Sequence, residues 1–153
     1  MIKEYIATFL WSFSPFGEAK FGIPYGILKE LNPVLVLVFA ILGNIAVYPA
    51  MMLFLRHINK WLARWHWYRS SAIWIARRAK KGSKSKLESY GYVGLALFVM
   101  VPTPGSGVYI GSIISFLLRL DYKKAFLANA IGAVLSGLIV WSVTCFGYRL
   151  SLQ

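Results

Sequence analysis

The sequence predicts an all-α integral membrane protein. Its expected plan is an inverted repeat of a re-entrant helical hairpin plus a transmembrane helix, with an interfacial amphipathic helix between the halves. Three observations predict it. Of 153 residues, 58% are hydrophobic and only 14% charged, against about 25% charged in a soluble domain. Two uncharged segments are long enough to cross a bilayer, whereas other apolar runs fall short of the roughly 20 residues a span needs. The order short run, Pro/Gly break, short run, charged turn and long span occurs twice.

The chain reads as a single membrane domain, with repeat 1 at about 1–55, a basic amphipathic linker at 56–90 and repeat 2 at about 91–153. The first short run, Tyr5 to Phe16, has 12 residues and ends in Pro15-Phe16-Gly17-Glu18-Ala19-Lys20-Phe21-Gly22-Ile23-Pro24. Proline removes a backbone donor and glycine accepts bent backbone. Irregular backbone at membrane depth survives only inside protein or beside water, so this stretch is read as a hairpin tip. Lys29, Glu30 and Asn32 mark a return to water, and Pro33 suits a helix start. Pro33 to Leu55 then gives 23 uncharged residues, interrupted only by Asn44 and Pro49. Asn44 is expected to bond across to a neighbouring helix, and Pro49 to kink its own.

Residues 56–90 hold ten of the 17 basic residues and one acid, Glu88. Trp61, Trp65, Tyr68, Ala72 and Ile75 recur at helical spacing, with Arg56, Lys60 and Arg64 on another face. That pattern predicts an interfacial helix over 58–76, aromatic toward lipid and basic toward headgroups. Lys80 to Lys86 reads as a solvated loop, and His57 and His66 as surface residues. Gly91 to Val101 is a second short run, followed by the break Pro102-Thr103-Pro104-Gly105-Ser106-Gly107 and the apolar Val108 to Leu118. Arg119, Asp121, Lys123 and Lys124 form the second charged turn, and residues 125–150 the second span. Ala128, Gly132 and Ser136 recur every four residues along it, a spacing that lets helices approach closely. Gly22 and Gly26 follow the first break as Gly107 and Gly111 follow the second. Cys145, the one cysteine, is read as a small buried hydrophobe.

If each hairpin is re-entrant, each half crosses once and the second half is inverted, the plan of many secondary transporters. Residues 56–90 and 119–124 then share one side with 13 basic residues, against Lys3, Lys29 and Arg149 on the other. This bias predicts a multi-pass protein of the cell membrane, with the linker cytoplasmic and both termini outside. The rival topology lets the short segments span, giving four crossings or more.

Glu18 and Lys20 are the ionisable residues expected at membrane depth, where such groups default to a functional role. Glu18 is the expected coupling carboxylate, exchanging a proton or meeting a cationic substrate. Lys20 is its partner or an anion contact. Two residues apart, they diverge on a helix, so pairing requires unwound backbone. The second tip can present backbone amides to an anion, with hydroxyls from Thr103 and Ser106. The expected substrate or ion contacts are Glu18, Lys20, Pro24, Asn44, Pro102, Thr103, Pro104, Gly105, Ser106 and Gly107. The competing structural readings are an ion pair that only holds the first tip and a plain turn at the second.

No Ser-His-Asp set, metal cluster or paired carboxylates lie near either break, so neither an enzyme nor a cofactor is expected. A net charge of +12 would suggest nucleic acid in a soluble protein; here the charge is segregated, and the expected partners are membrane lipid and a small-molecule or lipid substrate. A homodimer is plausible for so small a core.

These residues carry a resemblance. The chain resembles the small multi-drug export proteins, whose N-terminal Pro-x-x-Glu-x-Arg/Lys-x-x-Ile-Pro pattern is matched by Pro15, Glu18, Lys20, Ile23 and Pro24. Gly43-Asn44, Tyr90-Gly91 and the run Pro102, Pro104, Gly105, Ser106 and Gly107 match its other motifs. Lys20 stands where arginine is common and Ser106 where threonine is common. More distantly it is similar to DedA-type (VTT-domain) proteins, which have paired re-entrant hairpins. The resemblance implies a small transporter, proton-coupled or exporting an amphiphilic or charged substrate. The alternatives are a flippase or scramblase for phospholipid or polyprenyl-phosphate lipids, and a non-transporting membrane adaptor. The arginines of the DedA-type second hairpin have no counterpart in Pro102 to Gly111.

Overall fold

The computed structural model describes residues 2–15, 17–62, 84–102 and 107–151, with side chains undescribed at 59–62, 84–90 and 151. Six helices are formed among the described residues: α1 (Ile2–Phe13), α2 (Glu18–Leu28), α3 (Pro33–Leu62), α4 (Lys84–Met100), α5 (Val108–Leu117) and α6 (Tyr122–Ser151). The interfacial helix expected over 58–76 lies mostly outside the described residues. Its first residues are the last turn of α3, and α4 begins at Lys84, so both ends of the basic segment are helical.

The long helices begin as the sequence dictates. Asn32 Oδ1 accepts hydrogen bonds from the amides of Val34 and Leu35, with Pro33 at the first helical position. Asp121 Oδ1 does the same for Lys123 and Lys124 ahead of α6. The helices before them end alike. Leu31 N–H bonds to Gly26 C=O and Glu30 N–H to Ile27 C=O, while Leu120 bonds to Ser115 and Arg119 to Phe116. These are paired Schellman closures, each with a left-handed residue, Glu30 (φ 56°) and Arg119 (φ 52°). Tyr5 and Tyr92 each offer a hydroxyl to the following turn, accepting from Asn32 N–H and Asp121 N–H.

From α2 onward the two halves match at one constant offset: Glu30 to Arg119, Asn32 to Asp121, Pro33 to Tyr122. This register pairs Gly22 with Gly111 and Gly43 with Gly132. It corrects the sequence pairing of Gly22 with Gly107, which is one helical turn out. The packing supports it. A Cβ on Gly43 would lie 2.6 Å from Phe9 O of α1, and one on Gly132 would lie 2.6 Å from Ala96 O of α4.

α3 and α6 run antiparallel. Trp141 Nε1 of α6 donates to Pro33 O at the start of α3 (2.8 Å), while Tyr48 further along α3 packs on Tyr122 and Phe126 at the start of α6. α2 packs on α3 and α6, and α5 packs on α6 and α3, so each short helix bridges both halves. Two cores result. One gathers Ile23, Ile27, Val36 and Ala40; the other gathers Tyr48, Leu95, Val99, Val108 and Ala125. Ala128, Gly132 and Ser136 are all buried, with Gly132 on α4, as their spacing predicts.

The outer surface is apolar. Leu53, Phe146, Val143, Val34 and Leu127 are all more than half exposed, a surface that water does not favour and lipid does. Pro33–Ile58 and Tyr122–Leu150 are long and apolar enough to cross a membrane.

Candidate functional site

The first break is shorter than the Pro/Gly stretch suggested. α1 stops at Phe13 and α2 starts at Glu18, so among the described residues of this stretch only 14, 15 and 17 lie outside a helix. Pro24 lies within α2 and lines a surface cavity with Leu28 and Thr144, not the break.

Glu18 opens α2 with φ 50°, and it is 7% exposed. Lys20 Nζ lies 3.0 Å from Glu18 Oε2. The expected unwinding is therefore confined to one left-handed residue. Within a regular helix, side chains two apart diverge; the left-handed step at Glu18 removes that constraint. The step costs about 1–2 kcal/mol. Glu30 and Arg119, the other described non-glycine residues with positive φ, sit in helix C-terminal closures, a common place for this conformation. Glu18 is at a helix start, where no such closure calls for it.

The carboxylate also meets the second break. Glu18 occupies the space that a side chain on Gly107 would need, overlapping its Cβ position with both oxygens. Gly107 is the N-cap of α5 and Glu18 is in the first turn of α2. The carboxylate thus faces the amino ends of two helices, each of which favours negative charge. Glu18 and Gly107 are counterparts at the constant offset.

Tyr109 joins the same place. It is the counterpart of Lys20, and its hydroxyl donates to Phe13 O, one of the open carbonyls at the end of α1. Sequence reasoning missed Tyr109, because the glycine pairing had shifted the register by a turn.

Among the other expected contacts, Gly107 is buried and Pro102 is exposed. Thr103, Pro104, Gly105 and Ser106 lie outside the described residues. Asn44 is buried in α3 (3% exposed), and its Oδ1 meets no donor among the described residues. Ser12 Oγ is likewise buried without a partner among the described residues, lying in the space left by Gly22. Cys145 is half-buried beside Tyr148, not in the core. No group of three His, Cys, Asp or Glu capable of holding a metal occurs among the described residues.

A family profile described as "Putative small multi-drug export protein" matches residues 18–139. No curated protein matches the chain. No solved structure matches it either.

Proposed function

Since this chain belongs to the small multi-drug export protein family, we propose that it is an ion-coupled membrane exporter whose transport site lies between its two helix breaks. α3 and α6 span the membrane in this reading. α1 with α2, and α4 with α5, form re-entrant hairpins, and the halves are an inverted repeat about an axis through Glu18 and Gly107. The antiparallel long helices and the matching end-caps support the inversion.

One observation carries the proposal: the Glu18 carboxylate, buried and paired with Lys20, packs on Gly107, the glycine that caps α5 in the other half. A buried charge is costly unless paired, and at membrane depth such a group marks a pathway for ions or substrate. Glu18 alternates between the Lys20-paired carboxylate and a form holding a proton or a cationic substrate. Its position on the axis lets one side chain answer to both halves. Movement of either hairpin changes what surrounds it, and alternating access requires that coupling.

The test is proton release from purified protein on adding candidate substrates, for wild type and Glu18→Gln. Release from wild type alone is expected. No release from either, with a bound substrate demonstrated independently, rules out proton coupling through Glu18.

A further inference from the structure

Gly22 and Gly111, counterparts at the constant offset, each stand one helical turn from the contact between Glu18 and Gly107. The space of a Gly22 side chain is taken by Ser12 Oγ, and that of a Gly111 side chain by Asn129 Oδ1. Both oxygens are buried, and neither has a hydrogen-bond partner among the described residues.

Beyond them the two halves differ. Past Ser12 the polar line closes, because the Thr8 hydroxyl donates to Glu4 O (2.9 Å) and Val36 packs on Gly26. Past Asn129 it continues. Asn129 Nδ2 donates to Ala125 O (2.9 Å) and to Ser115 Oγ (3.4 Å), which fixes its Oδ1 toward Gly111. Tyr48 Oη faces the Ser115 hydroxyl but completes no hydrogen bond among the described residues. Asn44, one turn from Tyr48 on the same face of α3, has an Oδ1 that meets no donor there either. Asn44, Tyr48, Ser115 and Asn129 are each at most 3% exposed.

The packing does not demand this polar set. At the constant offset its members correspond to Ala133, Gly137, Gly26 and Ala40, so the first half fills the matching places without a polar side chain. A buried polar atom left unpaired costs about 1–3 kcal/mol, and buried water satisfies such atoms where several converge. The set offers hydroxyls and amides and no charge, which suits water and not an ion. The spacing suits water too. Gly107, Gly111 and Ser115 follow at intervals of four along α5, with Gly111 N–H bonded to Gly107 O, a rise of about 5.4 Å per turn. One water making two hydrogen bonds of about 2.8 Å each bridges such a step.

We propose that water held between α3, α5 and α6 by Asn129, Ser115, Tyr48 and Asn44 carries protons between Glu18 and the turn that joins α5 to α6. A proton leaves the Glu18 carboxyl for the nearest water, each water passes one on, and Glu18 remains as the carboxylate paired with Lys20. Tyr109 also faces Glu18, but its hydroxyl hydrogen is held by Phe13 O, so it offers no outlet. The proposal rests on the proton-exchanging role of Glu18 and adds the route.

The experiment has two arms on purified protein in detergent. X-ray hydroxyl-radical labelling in water enriched in heavy oxygen reads bound water. Tyr48 is expected to take up the heavy oxygen although buried, and at least fivefold less of it in Ser115→Ala. Light then releases a caged proton, and infrared absorption follows protonation of Glu18, its band identified by its absence from Glu18→Gln. Tyr48→Phe and Ser115→Ala are expected to slow protonation at least fivefold with the final amplitude unchanged. Azide, a small mobile proton carrier, is expected to restore the rate, which it would not do for a packing defect. An unlabelled Tyr48 in wild type, unchanged labelling in Ser115→Ala, or wild-type rates in both variants overturns the route and leaves exchange at Glu18 standing. Absence of any band specific to Glu18 overturns the exchange and the route together.

Discussion

At the scale of single residues, the fit between Glu18 and Gly107 is the most consequential contact. A methyl group at position 107 would occupy the carboxylate's place, and overpacking of this kind costs about 1–3 kcal/mol. Gly107→Ala is therefore expected to lower the melting temperature and to abolish substrate-driven proton release, as Glu18→Gln does. Adding Glu18→Asp to Gly107→Ala shortens the acid and is expected to recover part of the stability. Because the two residues touch, the double variant should depart from additivity. Additive effects on melting would mean that the carboxylate does not rest on Gly107. Lys20 contributes differently. Its amine is held at 3.0 Å with its side chain only 14% exposed, so its removal leaves an uncompensated charge.

At the scale of helices, close approach depends on missing side chains. Gly132 of α6 admits α4, with Ala96 O and Val99 Cβ within 2.8 Å of where a Cβ would stand. Backbone cannot step aside cheaply, so Gly132→Ala is expected to destabilise by about 1–3 kcal/mol. Gly94 of α4 meets nothing within 4 Å. There alanine relieves the conformational freedom of an exposed helical glycine, an effect of up to about 1 kcal/mol, and Gly94→Ala is expected to be neutral or stabilising. Thermal unfolding of the two variants in one detergent checks the contrast. Equal effects would mean that α4 and α6 are not in contact through Gly132. The first half packs in the same way, with Thr8 and Ser12 of α1 fully buried, Ser12 against Gly22.

At the scale of the whole molecule, the turns at Glu30 and Arg119 lie near opposite ends of the antiparallel pair α3 and α6. Each of these helices has 30 residues, about 45 Å at 1.5 Å per residue, more than the roughly 30 Å hydrocarbon core. In a membrane the two turns should emerge on opposite sides. In a Cys145→Ser background, Lys29→Cys and Lys123→Cys are expected to react with a membrane-impermeant maleimide from opposite faces. Lys123→Cys should label from the cytoplasm, where the basic excess of residues 56–90 and 119–124 points. Labelling of both from one face would overturn the inverted repeat and the central role it gives Glu18.

Much of this was legible along the chain because it depends on local chemistry. Charge interruption set the two spans, Pro33 marked the start of the first, and small residues every four marked a face of α6 for close packing; the Asp121 cap, which starts α6 at Tyr122 and not at 125, was not read from the sequence. The singular acid at Glu18 and its partner Lys20 were legible because charges in apolar sequence stand out. Other features were not, because they depend on which segments meet. Pro24 reads as a helix breaker, yet α2 continues through it. The register between halves was misread by a turn because glycines alone carry no phase; the paired end-caps do. Gly107 shows nothing in the sequence of the carboxylate it accommodates, and Tyr109 shows nothing of the α1 carbonyl it reaches. The sequence by itself determined the helical plan, the apolar exterior and the identity of the acid at the first break. Only the tertiary structure decided where that acid sits, because a contact between Glu18 and Gly107 exists only when the two halves are packed face to face.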